Sequence, residues 1–380
     1  MKLDTAKRIF GLDVMRALAI LLVLFSHTSL LMYPEEESTI LNIIRFFGAI
    51  GVDVFFVLSG FLIGGILLRQ VKQGKTGWKD MLYFLIRRWL RTLPNYYLIL
   101  LVNIMLIYFL HQNSIKGIPS FFLFLQNFTS GQIDFFTESW SLSIEEFAYI
   151  IGPLFLLMVF YLLKRADKTK MFIGVVLMII ILSALIRYVF HLSEEITDYS
   201  YWSQNLRKVV IYRIDSIYYG FIAAYIASEW EEIWMKNRLV CAVIGSALFL
   251  LMHAVIFKLN LLPQNTSLFY NVFYLPLVSI SIAFSLPMLS TWKKSNVLES
   301  SVTWISVLSY SIYLVNYSIV LLTMQKFVDV GSMESVGKLL MASIFWSVSF
   351  ILSYILYIWF ERPIMNLRDK PFITNKFKGN

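Results

Sequence analysis

Runs of roughly twenty apolar residues, divided by short polar segments, follow one another from Phe10 to about residue 360. At a rise of about 1.5 Å per residue each run can cross a hydrocarbon core about 30 Å thick as a helix. The expected fold is all-α, a polytopic membrane helix bundle of about ten transmembrane helices. Composition agrees, because 58% hydrophobic and 15% charged residues leave too little polar surface for a soluble domain of 380 residues. The single Cys241 excludes an intrachain disulfide and a thiolate metal cluster.

The expected spans are residues 10–33, 43–68, 84–110, 140–163, 171–190, 207–227, 239–257, 268–289, 302–327 and 336–360. The net charge of +9 is spread over short segments between them, which argues for membrane orientation and against a nucleic-acid partner. MKLDTAKR, RQVKQGKTGWKD, KRADKTK, TWKKSN and the C-terminal ERPIMNLRDKPFITNKFKGN are basic and fall on one side; YPEEESTILN and HLSEEITDYSYWSQN are acidic and fall on the other. The positive-inside rule then places both termini in the cytoplasm. SFFLFLQNF is too short to cross and is expected to be interfacial or re-entrant. No internal repeat, cleavable signal or appended soluble domain is expected, so residues 1–380 read as a single transmembrane domain.

Several ionisable residues lie inside these spans, where a charge costs at least about 2.5 kcal/mol and normally faces a cavity or a partner. Arg16 and His27 are eleven positions apart, which separates them by roughly 20° around a helix and about 16 Å along it. They share one face at two depths, and Asp13 can pair with Arg16. Arg87, Arg88 and Arg91 stand at the basic end of the third span. Arg88 and Arg91 are spaced to grip a phosphate or pyrophosphate, although an interfacial anchor explains them equally well. In ESWSLSIEEFAY, Glu145 and Glu146 point about 100° apart, so only one is expected to face a given site. That one could exchange protons with a nearby imidazole, or pair with an arginine such as Arg187 or Arg213. Asp53 precedes Ser59, Gly60, Gly64 and Gly65 in the second span and requires a partner.

Five stretches in order carry a resemblance: LDVMRALAILLVLFSH, GVDVFFVLSGFLI, RRWLRTLP, WSLSIEE, and SYSIYLVN with the terminal ERP. Together they resemble the integral membrane O-acyltransferases of acyltransferase family 3, over the whole chain. The resemblance implies a protein of the bacterial cytoplasmic (inner) membrane that takes an acyl group from acyl-CoA, commonly acetyl-CoA. The acceptor would be a hydroxyl of an extracytoplasmic carbohydrate or glycolipid such as surface polysaccharide or lipopolysaccharide. With that reaction in view, placement makes His27 and Glu145 the expected catalytic residues, Arg16, Arg88 and Arg91 the expected donor-binding residues, and Asp53 and Trp140 the expected substrate contacts. Three places depart from the pattern. Val14 stands for a usual Gly, Asn316 for a frequent His, and Phe147-Ala148-Tyr149 for Gln-Phe-Tyr. No metal is expected, since His27, His111, His191 and His253 lie on different segments. The rival class is a transporter or flippase for a lipid-linked glycan or anionic solute, whose buried charges would form a path.

Overall fold

The computed structural model describes residues 8–36, 38–110, 117–295 and 298–367 together with Lys370; readings that fall on residues 1–7, Glu37, His111 or residues 371–380 lie outside these. Among the described residues there is no strand, nine helices are long and apolar enough to cross a membrane, and one bent pair makes a tenth. We number the spans α1 (Phe10–Met32), α2 (Thr39–Lys72), α3 (Trp78–Leu110), α4 (Trp140–Leu162), α5 (Lys168–Ser193), α6 (Val210–Glu229), α7 (Arg238–Lys258), α8 (Phe269–Thr291), α9 (Glu299–Phe327) and α10 (Ser335–Leu367). Each expected span has its helix.

Helix ends follow local chemistry. The Ser38 hydroxyl accepts from the Leu41 amide and starts α2 before its apolar run begins. Asp167 caps α5 by accepting from the Thr169 and Lys170 amides at 2.8 and 3.3 Å, and these bonds hold its carboxyl below the usual carboxylate range. α2 and α9 are the most buried spans: 67% of the most apolar stretch of each is buried, against 17% for α7. Against α6 the approach of α2 is close enough to need glycine on both sides. A Cβ at Gly60 would lie 1.9 Å from the Ile217 carbonyl oxygen, and one at Gly220 would lie 2.2 Å from that of Val57.

The sixth span has its helix, but the residues just before it, expected to be loop, are helical too and turn sharply into it. Tyr199–Arg207 and Val210–Glu229 meet at 92°. Non-helical backbone at this depth must be satisfied by protein. The segment before α4 does so: the Val210 and Ile211 amides donate to the carbonyls of Asn127 and Phe128, and the Asn127 side chain donates to the Lys208 carbonyl at 2.6 Å. The SFFLFLQNF segment forms the short helix Ile118–Phe122 and then turns back without crossing, tied to α3 by the Tyr96 hydroxyl on the Phe121 carbonyl.

Below the break lie two ion pairs with almost no exposure. Arg213 pairs with Asp53 of α2, and Arg187 of α5 pairs with Asp215 at 2.8 Å. Arg187 and Arg213, the alternative partners considered for one carboxylate of the Glu145–Glu146 pair, are thus already matched.

Candidate active site

Two adjoining cavities enter the bundle from the end that carries the start of α1. The outer one, about 310 Å³, lies between the end of α2 and the start of α3. Arg69, Lys75, Arg87, Arg88 and Arg91 line it, and among the described lining residues Asp80 is the one acid. The inner one, about 240 Å³, is bounded by Arg16, Phe55, Ser59, Arg88, Arg91, Ser141, Glu145 and Tyr313 among others. Both share Ile63, Ile66, Arg88 and Arg91. A cationic mouth therefore leads into a largely apolar chamber, with arginines at the junction, a layout suited to a ligand with an anionic head and an apolar tail.

Arg88 is held on several sides. Its Nη2 donates to Glu145 Oε2 and to the Tyr149 hydroxyl, each at 3.1 Å, and its guanidinium lies 4.6 Å from the centre of the Tyr149 ring. Tyr149 in turn shares a hydrogen bond with Ser59 at 2.5 Å. Glu146 accepts from Trp89 Nε1 at 3.1 Å and from Thr92 Oγ1 at 2.9 Å. Both carboxylates thus reach α3, although their Cβ directions diverge; a glutamate side chain is long enough to converge on a neighbouring helix.

Near the start of α1, Arg16 lines the inner cavity and contacts Ser306 at 3.4 Å and Asp13 at 3.8 Å. Asp13 is bound more tightly by Arg8, which donates to it from Nε at 2.8 Å, and by Ser306 at 2.7 Å. Spacing alone gave no sign of Arg8, since it precedes the helix.

His27 is half-buried and lies beyond the cavity's inner end. Its Nδ1 meets Asn316 Oδ1, and its ring centre lies 4.8 Å from that of Tyr317. Tyr313 lines the cavity one helical turn before Asn316 and hydrogen-bonds to Ser141 at 2.8 Å and to the Glu138 carbonyl at 3.1 Å. Glu138, fixed by Ser318 Oγ at 2.6 Å, belongs to the same layer. The structure therefore joins Arg16, Arg88, Arg91 and Glu145 around one cavity and sets His27 just past it. Glu145 engages Arg88, and the side chain bonded to the imidazole is Asn316. Asp53 and Trp140 are not among the lining residues. Asp53 faces α6 through Arg213, and Trp140 packs between Arg207, 5.0 Å away, and Phe56.

A family model described as an acyltransferase domain matches residues 9–361. The chain belongs to acyltransferase family 3. A peptidoglycan O-acetyltransferase, OatA, of Listeria monocytogenes is 32% identical over 195 residues, covering 47% of this chain and 28% of that protein. A Staphylococcus aureus protein provisionally named an O-acetyltransferase is 25% identical over 341 residues, covering 84% and 52%. A Bacillus subtilis protein provisionally named a peptidoglycan O-acetyltransferase is 25% identical over 400 aligned positions, covering 97% and 56%. This acyltransferase family 3 chain thus spans about half the length or less of the curated relatives it matches. No solved structure matches it.

Proposed function

We propose that the chain is a membrane O-acyltransferase that moves an acyl group, acetyl in the simplest case, from cytoplasmic acyl-CoA to a hydroxyl of an extracytoplasmic glycan. The observation that carries this reading is the cationic, two-part cavity ending one layer short of His27. Guanidinium forks suit the donor's phosphates, and the apolar chamber suits its pantetheine arm. His27, about 16 Å along α1 from Arg16, lies where the acyl end of an extended donor would arrive. The names of the relatives favour peptidoglycan as the acceptor class. The basic segments at the donor end favour both termini in the cytoplasm, and the bacterial relatives favour a bacterial inner membrane.

The reaction follows from what each group can do. Arg88 and Arg91 hold the head of the donor at the mouth, Arg16 attracts it further in, and the imidazole of His27 acts on the acceptor hydroxyl as general base or carries the acyl group briefly. Purified protein in detergent should transfer or hydrolyse label from acetyl-CoA. Absence of both, with vectorial movement of a glycan or anion in proteoliposomes, would establish the transporter instead.

A further inference from the structure

We infer that Asn316 is the positioning residue that holds His27 as its Nδ1–H tautomer and leaves Nε2 as the atom that receives the acceptor's proton, an inference that rests on the O-acyltransferase reading. A side-chain amide offers two donors at Nδ2 and one acceptor oxygen. Both donors of Asn316 are engaged: Nδ2 donates to the Ile312 carbonyl at 2.7 Å and to the Tyr313 carbonyl at 2.9 Å. Turning the amide over would set Oδ1 against those two carbonyl oxygens, so the network admits one orientation. Oδ1 then faces the imidazole, where it can only accept, and Nδ1 must carry the hydrogen.

A neutral imidazole has one N–H, so the lone pair sits on Nε2. Tyr317, packed at 4.8 Å, limits rotation of the ring. Asn316 is fully buried and opens the π-helical turn Asn316–Leu321, which fixes it in turn. The arrangement inverts a known failure. An Asn in the carboxylate position of a Ser-His-Asp triad lowers turnover about 10⁴-fold by imposing the wrong tautomer. Here the backbone occupies the NH₂ group, so the same residue type imposes the productive one.

The proton path then balances. The acceptor hydroxyl gives its proton to Nε2 as its oxygen attacks the acyl carbon of the donor thioester. The C–O bond forms, the C–S bond breaks, and the imidazolium returns the proton to the departing thiolate. Throughout, Nδ1–H keeps its bond to Asn316, so no reorientation is needed between the steps.

The test uses the full chain, ¹⁵N-labelled at histidine in detergent, with His27→Gln identifying the His27 signals by difference. We expect a protonated Nδ1 and a bare Nε2 in the neutral imidazole; a proton on Nε2 would overturn the inference. In parallel, Asn316→Leu should lower kcat about 10- to 100-fold with the KM for donor and acceptor unchanged, and should give a mixture of tautomers. Wild-type kcat in Asn316→Leu would also overturn it. Should the variant fail to accumulate, the wild-type spectrum decides alone. Failure of the underlying reading looks different, since full transfer by His27→Gln would remove the imidazole from the chemistry altogether.

Discussion

Arg88 of α3 and Glu145 of α4 meet at 3.1 Å where the two cavities join, and the same Arg88 nitrogen also holds the Tyr149 hydroxyl. A lysine could not keep both bonds in one plane while presenting further donors to a phosphate. Arg88→Lys and Arg91→Lys should each raise the donor KM about tenfold and leave the acceptor KM unchanged. Initial rates over a range of acetyl-CoA concentrations measure this; an unchanged donor KM in both variants would make the two arginines membrane anchors.

Beyond the cavity, His27→Ala should lower transfer by about 10²- to 10⁴-fold while donor binding, followed by equilibrium dialysis, stays near wild type. His27→Gln should do the same. Retention of most activity by the glutamine variant would show that the ring is a polar spacer.

Asp53 is joined to Arg213 inside the bundle, so truncating it strands a buried cation. Asp53→Ala should cost about 3–5 kcal/mol, and replacing both partners by apolar residues of similar volume should recover much of that loss. Thermal unfolding in detergent across the double-mutant cycle reads the coupling; additive losses would contradict the pairing.

Gly60→Ala and Gly220→Ala should each destabilise by about 1–3 kcal/mol or more, because the added methyl meets backbone carbonyl oxygen rather than a side chain that can move aside. A midpoint unchanged in either variant would mean that α2 and α6 stand further apart than described.

Topology is open to labelling. In a Cys241→Ser background, an impermeant thiol reagent should modify Glu36→Cys but not Lys75→Cys in intact cells. Equal labelling at both sites would refute the assigned orientation.

Much of the fold was legible because the bilayer imposes a length and a hydropathy on every span, and each expected span has its helix. The shared face of Arg16 and His27 was legible for the same reason, since helical periodicity is local. Partners were not. That Glu145 meets Arg88 while the imidazole meets Asn316, and that Asp53 turns from the cavity towards α6, depends on how helices distant in sequence rotate against one another. The break before α6 was hidden too: Arg207 and Lys208 read as a less apolar start to a span, and the backbone partners that stabilise the bend lie some eighty residues earlier, at Asn127 and Phe128. Asn316 was visible as a departure from the family pattern, but its orienting bonds to Ile312, Tyr313 and His27 appear only in three dimensions.

The two buried ion pairs also bear on how the protein is made. Synthesis proceeds from the N-terminus, so α2 carrying Asp53 and α5 carrying Arg187 enter the membrane before either countercharge exists. Both countercharges, Arg213 and Asp215, arrive together at the start of α6. Until then each waiting helix bears an unneutralised charge worth about 2.5–3.5 kcal/mol against insertion. Arrival of α6 discharges both debts in a single event and lets Gly220 lock onto Gly60. α6 is therefore the element that completes both pairs, and a chain that lacks it has neither of them.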